Sequence, residues 1–354
     1  MKVALTSDLH LTDPSRHPER YDALQNILCQ MREEGARTLV IAGDLFDSTV
    51  QNFRAFEEAC GGEQSAELDI FVIPGNHDAQ LRQTAVAMQN IHVIEEPEVR
   101  YLDPDGPPFL FLPYKDGTSM GERIEPFSAQ LTAFQWVLVS HGDWLESRQE
   151  INPFENGVFM PLTRQDIQRY QPLKVFLGHI HKPYISERIC YMGSPCGLDI
   201  SECGLRRFLL FDTESQTYDE RYVNTRHIYF DEVCIVLPVE DEEKYIQEWA
   251  QNTIQAWGIK PEHIECMQVR VRARGYTADR QRLGAILKKC FSDFRFYQDK
   301  DPDVSEVRLA GDLERNYISN KVREVLKELE WSDSLDEPNQ DEILLAALQT
   351  IYGA

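Results

Sequence analysis

No stretch of this 354-residue chain keeps an apolar run near the roughly 20 residues that span a bilayer, so no membrane insertion is expected. The opening MKVALTSDLH turns polar and acidic at Thr6, too early for the apolar core of a secretion signal. No two of the eight cysteines (Cys29, Cys60, Cys190, Cys196, Cys203, Cys234, Cys266, Cys290) form a C-x-x-C pair. Their scatter argues against a thiolate zinc site and a disulfide framework, and fits the reduced thiols of a cytoplasmic protein. Cations are scarce as well. The 36 Lys and Arg face 59 Asp and Glu, a net charge of −23 that opposes loose adhesion to nucleic acid. Internal repeats and low-complexity linkers are also missing.

What is present reads as a globular chain with more than one core, 42% apolar and 27% charged. Over residues 1–226, short apolar runs alternate with helical stretches. VALT, TLVIAGD, DIFVIPGNHD, FLFLPY, WVLVSHGD and KVFLGHIH read as buried strands. Between Arg20 and Gly35, Leu24, Ile27, Leu28 and Met31 fall on one face of a helix, and a second helix is expected around Phe53–Cys60. Near-continuous apolar strands separated by helices imply sheets covered on both faces. ICYMG, RRFLLFD and DERYV, closely spaced, read as antiparallel. Residues 227–301 read as a small β-α-β-α-β domain: a strand in HIYFDEVCIVLPV, a helix over Glu242–Trp257, an alternating strand MQVRVRARG, a helix over Asp279–Phe291 and a strand FRFYQ. Residues 302–354 read as a helical hairpin, with helices across Arg315–Trp331 and around Ile343–Ile351.

Five of the strand ends in the first region carry metal-ligand chemistry: Asp8-Leu9-His10, Gly43-Asp44-Leu45-Phe46-Asp47, Gly75-Asn76-His77-Asp78, His141-Gly142-Asp143 and Gly178-His179-Ile180-His181. In open α/β folds ligands bind beyond the carboxyl ends of strands. Residues two apart on an extended chain share a face, which predicts that Asp8 joins His10 and His179 joins His181. Each motif alone is commonplace: a capping Asp, a tight turn, an ordinary histidine. All five in order, each after an apolar strand, make coincidence the weaker account. Carboxylate, amide oxygen and imidazole without sulfur suit Mn²⁺, Fe²⁺ or Zn²⁺. Seven ligands exceed one ion's needs, and a bridging carboxylate at Asp44 suits two ions about 3.5–4 Å apart, the spacing for in-line attack on phosphorus.

This set of motifs resembles the calcineurin-like metallophosphoesterases. GDLFD, IPGNHD and LGHIHKP, followed by Tyr191-Met192-Gly193-Ser194-Pro195, are most similar to the SbcD-type nucleases, subunits of SMC-like double-strand-break repair complexes. The motif match covers about residues 1–212. It implies an α/β, two-sheet αββα sandwich with a small α/β cap domain and a C-terminal helical hairpin. By position it implies that Asp8, His10, Asp44 and His181 hold one divalent ion and that Asp44, Asn76, His141 and His179 hold a second, with Mn²⁺ the expected metal. His77 is then the catalytic group that protonates the leaving oxygen, and Asp47 orients His77. An alternative for Asp47 is the N-cap of the helix that follows.

The resemblance also implies DNA as substrate, a homodimer built on helices near Phe53–Cys60 and Leu81–Gln89, and an SbcC-type SMC-like ATPase bound through the C-terminal helices. Val322, Val325, Leu326, Leu329, Trp331, Leu344, Leu348 and Ile351 supply an apolar face for that partner, or for packing on the cap itself. Residues 266–300 hold nine Lys and Arg against three Asp, while residues 301–354 hold five against thirteen Asp and Glu. Arg270, Arg272 and Arg274 share one strand face, placed to touch phosphates or simply solvated. Two other functions stay open: a phosphodiesterase for small esters or nucleotides, and a scaffold subunit without catalysis.

Overall fold

VALT, TLVIA and DIFVI lie side by side as parallel strands Lys2–Thr6, Thr38–Ala42 and Asp69–Ile73, with Ile91–Val93 beyond them. Arg207–Asp212 and Thr217–Tyr222 add antiparallel strands on the other edge and complete a six-stranded sheet. A second six-stranded sheet runs in the order Tyr184–Ile185, Ile189–Tyr191, Lys174–Gly178, Val137–His141, Phe109–Leu112, Glu98–Arg100. The computed structural model describes residues 1–47, 51–61, 67–145, 157–237, 239, 241–309, 313–329 and 339–352.

Side chains alternate across a strand, so an all-apolar strand must be covered twice. Val3, Leu5, Val40, Ala42, Phe71 and Ile73 of the first sheet meet Phe109, Phe111, Val137, Val139 and Phe176 of the second in a core between the sheets. The alternate residues Ala4, Leu39, Ile41, Ile70 and Val72 face outward onto Leu24, Ile27, Leu28 and Met31 of the helix Pro18–Glu33. On the far side, Leu110, Leu112, Leu138 and Val175 pack against Met120, Ile124 and Leu131 of short helices. The layers are helix, sheet, sheet, helix: the strand pattern predicts sheets covered on both faces, and the family resemblance implies this layering.

Three local expectations need correction. Ile189–Tyr191 pairs parallel to Lys174–Gly178, although its other neighbour is antiparallel. Leu81–Gln89 holds only a 3-10 turn, Gln83–Ala85. There the Gln83 side chain bonds the main chain of Ile91 and Val93, a sheet-like contact that a longer helix would forfeit. The helix Phe53–Cys60 is capped by Asn52, whose side chain accepts from the Ala55 N–H at 3.1 Å, so Asp47 is not its cap.

The chain divides into two compact units, residues 1–198 with 205–226, and residues 199–204 with 227–354. In the second, Ile228–Val236, Met267–Thr277 and Arg295–Phe296 form a parallel sheet with helices Glu242–Ala256 and Arg280–Cys290. The FRFYQ strand is only two residues long. A strand missed by pattern, Val307–Leu309, pairs with Gly275–Thr277; at three residues, with arginine in the middle, it shows no readable alternation. Met267–Thr277 buries Val269, Val271 and Ala273 and leaves Arg270, Arg272 and Arg274 half-exposed on one face. The C-terminal helices are Leu313–Lys327 and Gln340–Tyr352. Leu326, Leu344 and Leu348 pack on Ile235, Leu237 and Tyr276 of this unit's own sheet. Tyr317, Ile318, Val325 and Leu329 stay exposed. Trp331 lies outside the described residues.

At their carboxyl ends the two sheets of the first unit close on each other. A Cβ at Gly178 would stand 2.1 Å from the Ala42 carbonyl oxygen and 2.7 Å from His141 Nδ1, so only glycine lets the strands approach. Gly178→Ala is therefore expected to destabilise this unit by about 1–3 kcal/mol. Gly117→Ala, where a Cβ meets nothing within 4 Å but φ is +70°, is expected to cost less. Urea unfolding of the two variants checks the order.

Candidate metal centre

The loops that leave these converging strand ends carry every predicted ligand. Asp8 and His10 follow Lys2–Thr6, Asp44 follows Thr38–Ala42, and Asn76 and His77 follow Asp69–Ile73. His141 ends its strand, and His179 and His181 follow Lys174–Gly178. The structure brings all seven together around Asp44. On one side, His181 Nε2 lies 3.9 Å from Asp8 Oδ1 and 3.1 Å from His10 Nε2, and His10 Nε2 is 3.6 Å from Asp44 Oδ2. On the other, His141 Nε2 lies 3.3 Å from Asp44 Oδ2 and 2.8 Å from Asn76 Oδ1, which is 3.1 Å from His179 Nδ1. Asp8, His10, Asp44, His141 and His179 are buried.

The way these side chains meet differs from the expected extended pairs. Asp8, His10, Asp44 and His179 all have positive φ, at 54°, 45°, 50° and 96°. Non-glycine residues adopt this region at a cost, and such strain gathers at functional sites. Sharp left-handed turns, not alternation along an extended chain, aim the donors inward. Main-chain amides then fix the carboxylates: the His179 N–H donates to Asp8 Oδ1 at 2.9 Å and the His77 N–H to Asp44 Oδ1 at 2.9 Å. Gly75 is required beside Asp44, since a Cβ there would stand 2.1 Å from its Oδ1.

Two carboxylates outside the predicted set support the ligands. Asp143 lies with Oδ1 3.5 Å from His179 Nε2 and accepts the Phe159 N–H at 2.6 Å through Oδ2, leaving His179 Nδ1 toward Asn76. Asp78 accepts the N–H groups of Gly75 and Phe46 at 2.7 and 3.1 Å, tying the Asn76 loop to the Asp44 loop. Both sit inside the motifs HGD and GNHD, so their presence was legible and their task was not. The His141 Nδ1–H faces the Ala42 carbonyl at 2.9 Å, which presents Nε2 to the centre.

His77 is half-buried, its ring centroid 4.7 Å from that of His10. A ring nitrogen of His77 shares a 4.8 Å neighbourhood with His10 and Asp44, which puts it within reach of an ion held there. Asp47 is half-buried with Oδ2 3.8 Å from Arg20 Nη1. Arg270 and Arg272 both bond Asp231, and Arg274 bonds Glu306 at 2.7 Å, so each is ion-paired within the second unit.

Burial and charge set the protonation of the metal-free centre. Burial holds His10 and His179 down to about 3, neutral with free lone pairs at pH 7. Burial works against charge on Asp44 too, but the surrounding imidazoles, His141 first, keep its carboxyl below the usual range. Burial would lower His141, yet Asp44 and Asp8 raise it to about 9. A protonated His141 thus supplies, in part, the positive charge that a divalent ion would bring. The donor set fits such ions: oxygen and imidazole nitrogen without sulfur, in two groups that share one carboxylate.

The family model for calcineurin-like phosphoesterases matches residues 1–200, and the chain belongs to that family, whose members work with a dinuclear divalent metal site. Comparison with curated protein sequences finds no match. Solved structures similar to this one include the protein TT1561 of Thermus thermophilus, with 13% identity over 63% of this chain and 99% of that one and a TM-score of 0.40. An archaeal phosphodiesterase matches at 14% identity over 63% of this chain and 100% of its own, with a TM-score of 0.34. A dimetal phosphatase from Danio rerio matches at 12% identity over 63% of this chain and 96% of its own, with a TM-score of 0.42.

Asp44→Ala should abolish uptake of both ions, because both groups meet on that carboxylate. His77→Ala should retain both. Metal content after equilibration with Mn²⁺ and desalting reads the difference. The pH dependence of the metal-free fold follows from the same shifts. His10 and His179 titrate near 3 when folded against 6.5 unfolded, so the unfolded chain binds more protons in between and stability falls as pH drops below 6.5. His141 has the opposite sign: its contribution is present below 6.5 and lost as pH rises through about 9. Burial raises the Asp78 carboxyl to about 7 and the Asp8 carboxyl above its usual range, which opposes the fall from His10 and His179, so the expected outcome is a difference: between about pH 6.5 and about pH 4 the urea midpoint of the metal-free His179→Asn variant loses less than that of the wild type.

Proposed function

We propose that this chain is a Mn²⁺-dependent DNA nuclease of the SbcD type that hydrolyses phosphodiester bonds. The observation that carries the reading is the grouping of seven oxygen and imidazole donors about Asp44, with His77 beside it. Bound there, two divalent ions would neutralise an anionic phosphodiester and make an attacking water acidic near neutral pH. Asp44, held by the His77 main chain, joins the two halves of the site. The His77 side chain donates a proton to the leaving oxygen, and Asp47, on the loop that carries Asp44, orients His77. The absence of sulfur suits Mn²⁺, with Fe²⁺ and Zn²⁺ compatible.

For DNA, the half-exposed row Arg270, Arg272 and Arg274 offers phosphate contacts in the second unit. The exposed Tyr317, Ile318, Val325 and Leu329 suit a helical partner, in this reading the coiled coil of an SMC-like ATPase, and the nuclease acts as a homodimer. A second reading, a phosphodiesterase for small esters, gains from one observation. The three arginines already bond Asp231 and Glu306, which a DNA phosphate would have to displace.

Incubation with Mn²⁺ and end-labelled single- and double-stranded DNA, beside a chromogenic phosphodiester, separates these readings. DNA products that vanish in Asp44→Ala, and fall about 100-fold or more in rate in His77→Ala, are the expected result. Turnover of the small ester alone favours the second reading. Bound Mn²⁺ without turnover of either would make the chain a scaffold.

A further inference from the structure

Two buried guanidiniums stand behind the first group of donors without belonging to it. Arg206, 4% exposed, donates through Nη1 to the His181 carbonyl at 3.1 Å and through Nη2 to Ser194 Oγ at 3.0 Å. Ser194, fully buried, gives its own N–H to the same carbonyl at 3.2 Å, so both lone pairs of that oxygen are used. Arg20, 6% exposed on the helix Pro18–Glu33, donates through Nη1 to the His10 carbonyl and lies 3.8 Å from Asp47 Oδ2. The histidines held in this way face each other, Nε2 to Nε2 at 3.1 Å.

We infer that Arg206 and Arg20 are positioning residues that fix the main chain of His181 and His10, so that both imidazoles aim at one divalent ion. The inference rests on the two-ion reading of the site. A histidine ring has only two torsions between its nitrogens and its Cα, so the Cα position largely decides where a lone pair points. Ligands must be held to about 0.5 Å for a productive site. Of the two, His10 needs such support more, because its φ of +45° lies in the left-handed region, which costs a non-glycine residue energy. For His181 the support comes from Arg206 together with Ser194 in Met192-Gly193-Ser194-Pro195, a segment that contributes no ligand. Tyr191 directly precedes this segment, and its hydroxyl donates to the Gly142 carbonyl at 2.9 Å beside His141. Residues 191–195 therefore touch the supports of ligands in both groups. Arg206 and Ser194 act only on the first.

That division gives the test. Mn²⁺ titrations of the full chain by calorimetry, with free Mn²⁺ followed by electron paramagnetic resonance, should show two ions for the wild type. Arg206→Met is expected to hold one ion with unchanged affinity and the other at least about tenfold more weakly. Arg206→Lys should recover part of that loss, and Arg20→Lys should weaken the same ion. Ser194→Ala replaces Arg206→Met if circular dichroism shows that Arg206→Met does not fold, and carries the same expectation. Two ions bound as in the wild type, or both weakened equally, would overturn the inference and leave the two-ion site standing. A wild-type chain that takes up fewer than two Mn²⁺ overturns the two-ion reading itself, and the inference with it.

Discussion

The approach of the two sheets at Gly178 is the constraint on which the centre depends. The Ala42 carbonyl lies against Gly178 and accepts from His141, so the main chain of one sheet orients a predicted ligand carried by the other. Asp8 belongs to the first sheet and accepts from the N–H of His179, which belongs to the second. These links across the sandwich close two otherwise separate edges into a single cluster. If the sheets stood apart by the width of a methyl group, each would still be a good sheet with a good core. The donors would then form two sparse sets with Asp44 on only one of them.

Much of this was legible because a strand buried on both faces loses its polar alternation and reads as a continuous apolar run. VALT, TLVIA and DIFVI allow no polar face, and a sandwich with outer helices is the economical way to cover them. The donors were legible because their motifs each follow such a strand. The manner of their convergence was not. Alternation along an extended chain and left-handed turns both bring residues i and i+2 together, and nothing in D-x-H or H-x-H distinguishes them. The strand Val307–Leu309 was missed because three residues cannot show a period. The roles of Asp78 and Asp143 depend on main-chain N–H groups far along the chain, which no local pattern reveals.

Charge in the second unit shows a different limit of sequence reading. A surplus of cations in residues 266–300 reads as a basic surface, yet side chains pair by proximity in space. Asp231 lies 39 and 41 positions from the two arginines it bonds, and Glu306 lies 32 from Arg274. Half-exposed pairs of this kind contribute little to stability in water. They do hold the guanidiniums in fixed orientations, so an incoming phosphate would meet preorganised donors at the cost of displacing a carboxylate. The helices that end the chain show a similar division. Leu326, Leu344 and Leu348 are buried in the unit's own core, and the exposed residues that remain are a smaller apolar set than the sequence pattern presents.

The metal-free centre is an unfavourable object to fold around: four buried carboxylates, five closely packed imidazoles and four residues in left-handed backbone regions. Buried charge is tolerated when it is paired and hydrogen-bonded, as Asp8 and Asp44 are by the N–H groups of His179 and His77. A proton on His141 offsets part of the charge on Asp44, while His10 and His181 face each other as donors to the same space. Asp8, Asp44 and the facing imidazoles would hold a divalent cation, which would satisfy the carboxylates and occupy the lone pairs. Metal binding at His141 would displace its proton, which would couple uptake to pH and to the stability of the surrounding loops. The positive-φ turns, the glycine contacts and the main-chain bonds to each ligand make sense as the scaffold that maintains this arrangement against its own electrostatic cost.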